Sequence, residues 1–288
     1  MKPAPFEYIA ATSLEQALSV MAEHGFDAKL LAGGQSLIPV MNFRLAQPTL
    51  LVDLNPVESL SYITPHSGGL RVGAMARHSH LEKSALVAHY APLIHQTMPL
   101  IAHPQIRNRG TVGGSLAHAD PAGELPVLTV ALEARFKLQK VGGERWVSAE
   151  TFYQSLFTTA LADDEILTEI DIPKLPARTG VSFHELARRH GDYAQCGVAA
   201  IVTLDETGIC QRARLVYLNV GDIPMVAHEA MAMLVGNRLE ADVIATVAAH
   251  AAAHEIAPAS DVHASAAYKR HLAQVLTKRA LNEAATRA

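Results

Sequence analysis

Two glycine pairs, each beside hydroxyl-bearing residues, constrain this chain most: Ala32-Gly33-Gly34-Gln35-Ser36 and Thr111-Val112-Gly113-Gly114-Ser115. Glycine lets the backbone take positive φ and approach a ligand closely, so successive N–H groups can converge on an anion. Ser36, Thr111 and Ser115 add hydroxyl donors. A phosphate suits either stretch, yet neither fits the G-x-G-x-x-G pattern of a Rossmann site or the Gly-Lys-Ser/Thr ending of a P-loop. Taken singly, each pair reads better as a tight turn. Together they suggest a pyrophosphate clasped in a cleft between two sub-units.

The surroundings of each pair support two lobes. Ser13, with Gln16 three residues on, has the capping-box pattern and opens a helix with Leu14, Ala17, Leu18 and Met21 on one face, ended by Gly25. Lys29–Ala32 and Leu50–Leu54 read as short buried strands, and no strong helix pattern follows the first glycine turn. Further on, Leu70–Ala74 reads as a strand, His78–His89 as one helix and Leu93–Ile101 as another that Pro104 stops. Phe136 and Leu138, then Ile166, Thr168, Ile170 and Ile172, alternate as half-buried strands do. Pro173 and Pro176 mark the linker, which sets residues 1–175 (sub-domains about 1–56 and 57–175) apart from 176–288. In the second part, strands at Val198–Leu204 and Ala213–Val220 precede alanine-rich helices at Ala241–His254 and Ala266–Ala285, an α+β order.

Composition excludes several classes. Lys plus Arg number 24 against 28 Asp plus Glu, a formal charge of −4, which is too even for a phosphate-tracking nucleic-acid surface. Cys196 and Cys210 are too few for an iron–sulfur cluster on this chain and read as small buried apolar residues. The fifteen histidines lack metal-ligand spacing. With no apolar leader and no membrane-span-length apolar run, the expected place is the cytoplasm. A 49% apolar share with 18% charged residues suggests a subunit of something larger.

Leu31-Ala32-Gly33-Gly34-Gln35-Ser36-Leu37-Ile38-Pro39, with Arg44-Leu45 and Val52-Asp53-Leu54 behind it, resembles the first flavin stretch of the FAD-binding medium subunits of molybdenum hydroxylases, the carbon monoxide dehydrogenase and xanthine dehydrogenase family. Ile101 through Ser115, followed by His118-Ala119-Asp120-Pro121, is similar to their second stretch. Glu165-Ile166-Leu167, Arg188 through Ala194, and Tyr268 through Leu272 fit in order, so the resemblance spans nearly the whole chain. Gln35 and Ser115 match flavin subunits of N-heteroaromatic hydroxylases better than those of carbon monoxide dehydrogenase.

The resemblance implies an α+β fold of the vanillyl-alcohol oxidase (PCMH) type, with two sub-domains holding a non-covalent FAD and a C-terminal α+β domain beside them. By residue-for-residue carry-over, Leu31, Ala32, Gly33, Gly34, Gln35, Ser36, Leu37 and Ile38 hold the pyrophosphate, and Gly110, Thr111, Gly114 and Ser115 grip it from the other side. Asp120 is expected by the ribityl chain or ring edge, its plain alternative being an Asp-Pro turn. Ile101, Ala102 and Leu167 are expected against the isoalloxazine or its approaches, and Tyr193 over one ring face. Arg188, Arg189 and Lys269 are candidates for positive charge near reduced flavin. No residue is expected to be catalytic, because the resemblance implies a relay. Substrate is hydroxylated at molybdopterin-bound molybdenum on a large subunit, electrons cross 2Fe–2S clusters on a small subunit, and FAD here collects a pair for an external acceptor. A dimer of heterotrimers is the implied assembly; a self-sufficient flavin oxidase of the same fold is the alternative.

Overall fold

The computed structural model describes residues 2–288. Its first sheet is parallel, in order β1 (Glu7–Ala10), β3 (Leu50–Asp53), β2 (Ala28–Leu31). The central strand β3 is buried along its whole length, as a parallel strand covered on both faces must be. Helix α1 (Leu14–His24) makes the crossover from β1 to β2. Ser13 Oγ accepts from Gln16 N at 3.2 Å while Gln16 Oε1 accepts from Thr12 N at 2.8 Å, so the reciprocal cap closes one residue earlier than the usual box. Gly25, at φ 49°, ends the helix. After β2, a six-residue helix α2 (Leu37–Asn42) follows the glycine turn where the sequence shows no strong helix pattern.

The second sheet is antiparallel: β4 (Ile63–His66), β5 (Gly69–Gly73), β10 (Ile166–Pro173), β6 (Arg135–Lys140), β7 (Gly143–Ser148). A bulge between Leu167 and Glu169 interrupts the alternation of β10, so Ile166, Leu167 and Thr168 are all buried. The stretch between β5 and β6 is helical: α3 (His78–Lys83), α4 (Ala85–Tyr90), α5 (Pro92–Thr97), α6 (Pro104–Arg107), α7 (Val112–His118) and α8 (Glu124–Ala131). The single helix expected over His78–His89 is two, because Ser84 is extended and its Oγ caps α4 through Val87 N. Pro104 does not merely stop a helix. It begins α6 at the first position, where a missing N–H costs nothing. After β7 come the short α9 (Ala149–Phe152) and a small hairpin, β8 (Tyr153–Ser155) with β9 (Thr158–Thr159).

The third sheet has the antiparallel order β11 (Thr179–Ala187), β12 (Ala194–Leu204), β13 (Cys210–Leu218), β14 (Met225–Val226). Its strands are apolar on both faces. Cys196, Val198, Ala200 and Val202 face the helices α10 (His228–Leu234), α11 (Ala241–His254) and α12 (Ala266–Arg287), while Ala199 and Ile201 join the core of the second sheet. Both cysteines are free and buried, as their scarcity suggested. Helix α12 lies so close to β11 that a Cβ on Gly180 would be 1.8 Å from the Ala284 carbonyl oxygen. Among the described residues no helix is long and apolar enough to cross a membrane.

Candidate functional site

The first glycine stretch leaves the C-terminal end of β2. Leu31 O accepts from Leu54 N at 2.9 Å and Ala32 O from Asn55 Nδ2 at 3.0 Å, which pins the backbone entering the turn. The N–H groups of Gly33, Gly34, Gln35 and Ser36 then have no hydrogen-bond partner among the described residues. Gly34 takes φ 72°, open to glycine and costly for most side chains. Gln35 folds its amide back onto Gly33 O at 3.0 Å, and the Ser36 hydroxyl makes no cap bond to α2. Four consecutive free amides beside a hydroxyl form a concave donor surface for an anion.

The second stretch is not a loop but the beginning of α7, with Thr111 as its N-cap. Its amides are committed: Val112 N to Ala76 O, Gly113 N to Ala74 O, Gly114 N to Thr111 Oγ1 and Ser115 N to Thr111 O. What remains free is hydroxyl hydrogen, since Thr111 Oγ1 only accepts in its cap bond and so keeps its own hydrogen to give. The glycines here serve approach rather than donation. A Cβ on Gly113 would lie 2.6 Å from Ala74 Cβ, and one on Gly114 would lie 2.7 Å from its own cap oxygen, Thr111 Oγ1, with Ala32 Cβ at an ordinary 3.6 Å. From the other side, a Cβ on Gly33 would lie 2.4 Å from Arg109 O and 2.8 Å from the Cα of the buried Gly110. The two stretches therefore meet backbone to backbone, beside a cleft of about 430 Å³ that Leu31, Ala32, Gly33, Gly34, Gln35 and Ile38 line with Asp53, Asn55 and Arg109.

Residues that the glycine patterns do not mark hold this junction. Arg77 donates to Asn55 Oδ1 at 2.5 Å and to Arg109 O, and Asp53 accepts from Asn55 N at 2.8 Å and Tyr8 Oη at 2.5 Å. The signal was present as Asp53-x-Asn55-Pro56 at the end of a strand beside a glycine turn, but only pairing shows that β3 is the neighbour of β2. His78 is 4% exposed, with Nε2 3.0 Å from Thr111 O and 3.1 Å from Ser115 Oγ. Burial, with Arg107 and Arg77 nearby, lowers its pKa to about 4 against the Thr111 bond, so the ring is neutral. The unfolded chain binds that proton near its ordinary pKa of about 6.5, so the native state loses stability as pH falls from there to about 4, roughly 3 kcal/mol in all. Chemical denaturation between pH 7 and pH 4 should show wild type losing that much more than His78→Gln, and parallel slopes would refute a neutral His78.

Of the residues expected by the ring, Ile101 and Leu167 lie in the core of the second sheet, with Ala102 packed against it at φ 48°. The buried Arg107 holds this turn, giving Nη1 to Ile101 O at 2.9 Å and Ala102 O at 3.0 Å. Gly191, at φ 84°, seats the Tyr193 loop on it, since a Cβ there would be 2.8 Å from Ala102 O. Asp120 forms the plain Asx turn, accepting from Ala122 N at 2.9 Å, and also stands beside Tyr193. Tyr193 is largely exposed, and desolvation, then Asp120 and Glu124, push its pKa up to about 12. Burial raises Glu124 to about 7 and, with Glu124 as neighbour, Glu185 to about 8. Lys269 does not supply free positive charge here: it is 3% exposed, paired with Asp261 at 2.8 Å and bonded to Asn219. Arg188 and Arg189 are exposed, Arg188 within 3.5 Å of Asp192.

Four free amides with the hydroxyls of Ser36, Thr111 and Ser115 nearby, beside a cleft whose one carboxylate, Asp53, is already bonded to Tyr8 and Asn55, fit a pyrophosphate, which offers acceptors alone. Fold and cradle together define a flavoprotein of the PCMH type. Residues 4–175 match the family described as FAD binding domain in molybdopterin dehydrogenase, and residues 181–284 match the CO dehydrogenase flavoprotein C-terminal domain. The chain belongs to the FAD-binding medium subunits of molybdenum hydroxylases. It is 44% identical over 288 residues to the 6-hydroxypseudooxynicotine dehydrogenase complex subunit alpha of Paenarthrobacter nicotinovorans, covering 100% of this chain and 97% of that one. Among solved structures, it superposes with TM-score 0.96 at 38% identity, over all of both chains, on a chain of carbon monoxide dehydrogenase from Hydrogenophaga pseudoflava lacking the Mo-pyranopterin moiety of its molybdenum cofactor. The figures are 0.94 and 38%, over 99% of both chains, for quinoline 2-oxidoreductase from Pseudomonas putida 86.

Proposed function

We propose that this chain carries FAD between the two glycine stretches and works in the cytoplasm beside a small 2Fe–2S subunit and a large molybdopterin subunit, assembled as a dimer of heterotrimers. The observation that carries the reading is the run of free amides at Gly33–Ser36, on a turn that packs backbone to backbone against the Arg109-Gly110 segment leading into Thr111 and Ser115. Bound FAD supplies exchange between one-electron carriers and a two-electron acceptor. The chain's own residues bind and orient. The amides of Gly33–Ser36 meet anionic oxygens without any buried lysine, Gly110 lets the second wall come close, and Gly114 leaves room for the Thr111 cap. Asn55 and Arg77 hold the two walls together. Ile101, Ala102 and Leu167 exclude water on the ring side, while Tyr193 covers a face that an external acceptor must reach. A division near residue 175 separates this FAD unit from a C-terminal domain whose sheet packs against it.

A self-sufficient flavin oxidase is not favoured, because full-length relatives carry the names of complex subunits or medium chains. For the complex's substrate, the Gln35 and Ser115 pattern and the quinoline and pseudooxynicotine relatives support the N-heteroaromatic class. Purification of the native complex tests the whole reading. Iron, molybdenum and one FAD per copy of this chain should co-purify, with turnover of aromatic N-heterocycles above aldehydes, carbon monoxide or acyl-CoA esters; a folded complex without flavin absorbance rejects it. Tyr193→Ala should leave flavin content unchanged and alter the rate of reoxidation several-fold. Stopped-flow traces overlaying those of wild type would reduce Tyr193 to packing.

A further inference from the structure

We propose that His78 is a positioning residue of the pyrophosphate cradle: its Nε2–H occupies the Thr111 carbonyl and so turns the Ser115 hydroxyl hydrogen outward as a donor to the anion. The inference rests on the reading that FAD is held between the two glycine stretches.

His78 grips the second wall at three places. Its main-chain N–H donates to Gly110 O at 3.0 Å, and Nε2 lies 3.0 Å from Thr111 O and 3.1 Å from Ser115 Oγ. A carbonyl oxygen can only accept, so the ring hydrogen sits on Nε2 and Ser115 Oγ is an acceptor toward it. A serine inside a helix ordinarily turns its hydroxyl onto the carbonyl four residues back. For Ser115 that carbonyl is Thr111 O, which His78 already occupies. Ser115 makes no such back-bond, and its hydrogen has no acceptor among the described residues. The same tautomer leaves Nδ1 as a bare lone pair, buried and without a partner, over the Cα of Gly110, where a Cβ would come within 3.0 Å of it. A side chain kept only for packing would not bring in a buried nitrogen with nothing to bond. What the ring contributes is Nε2.

The test is ligand affinity measured on the full chain with FAD, ADP and riboflavin, which separate the pyrophosphate from the ring. His78→Leu should weaken FAD and ADP by about tenfold or more, the worth of a hydrogen bond to a charged group, and leave riboflavin within about twofold. His78→Gln, which presents an amide N–H, should recover most of the FAD affinity. Ser115→Ala combined with His78→Leu should cost little beyond either alone, because both remove the same donor. Should His78→Leu not fold, His78→Asn, whose amide is too short to reach Thr111 O, replaces it in the cycle. Equal losses of ADP and riboflavin affinity, additive effects in the double variant, or no recovery with Gln would each overturn the proposal. Gly33→Val is the control: if it binds ADP normally, the assignment of the anion to this cradle has failed rather than the role of His78.

Discussion

Gly33→Val should give a folded chain that purifies without flavin. The added Cβ would lie 2.4 Å from Arg109 O and 2.8 Å from Gly110 Cα, and both neighbours are backbone, so no side chain can swing aside. Relief requires the first stretch to lift off the second. Overpacking of this kind costs about 1–3 kcal/mol, small enough to leave the sheets intact because Gly33 lies in a turn at the end of β2. The larger loss falls on the ligand, since the displaced stretch carries all four free amides, each worth about 1.5–3 kcal/mol to a charged acceptor. Losing two of them lowers FAD affinity by roughly a hundredfold or more. Gly33→Ala should fail in the same way, because the clash is with the Cβ itself. Gly34→Asn should do better. At Gly34 the close neighbours are the side chains of Leu31 and Ile38, at 3.3 Å, and asparagine tolerates φ 72° better than most residues. Flavin-to-protein absorbance ratios of the purified variants decide it, and full occupancy in Gly33→Val places the pyrophosphate elsewhere.

The order of those variants could not be read from the sequence, where Gly33, Gly34, Gly113 and Gly114 look alike. Apolar periodicity and caps made α1, α11 and seven of the fourteen described strands legible, because those elements bury one stripe or alternate about one sheet. Gly33 and Gly113 are instead fixed by contacts with residues far along the chain, Arg109 and Ala74. Helix α8 escaped notice since every residue is buried and Pro126 falls inside it, leaving no amphipathic period; the proline is tolerated because it sits in the first turn. Leu167 would point outward by strict alternation, and the bulge beside it turns it inward. The pyrophosphate side of the site carried a local pattern. His78 and Arg77 carried none, because a residue that acts through its neighbour's carbonyl leaves no spacing to recognise, and the Asp53-x-Asn55 pattern meant nothing until β3 was seen to pair with β2.

Arg107→Met should be the most destabilising single change near the ring side, and a second substitution should separate its two effects. Arg107 is 6% exposed and uses four of its five side-chain N–H groups: Nε and Nη2 bond Glu82 Oε2 and Oε1 at 2.9 and 3.0 Å, while Nη1 bonds the carbonyls of Ile101 and Ala102. Removing it strands a carboxylate with a 25% exposed side chain and two carbonyls, which for a buried pair costs about 3–5 kcal/mol. In a chain of 288 residues that lowers the melting temperature by roughly 10 °C. Arg107→Lys should fall between, since one ammonium cannot span both the carboxylate fork and the turn. Replacing Glu82 with Met as well removes the stranded charge, so Arg107→Met/Glu82→Met should recover much of the lost stability. It cannot restore the donor to Ala102, whose φ of 48° is held by that bond and on whose carbonyl Gly191 seats the Tyr193 loop. The double variant should therefore melt well above Arg107→Met, though below wild type, and reoxidise its flavin at an altered rate. A double variant normal in both would show that the Ala102 turn needs no support from Arg107.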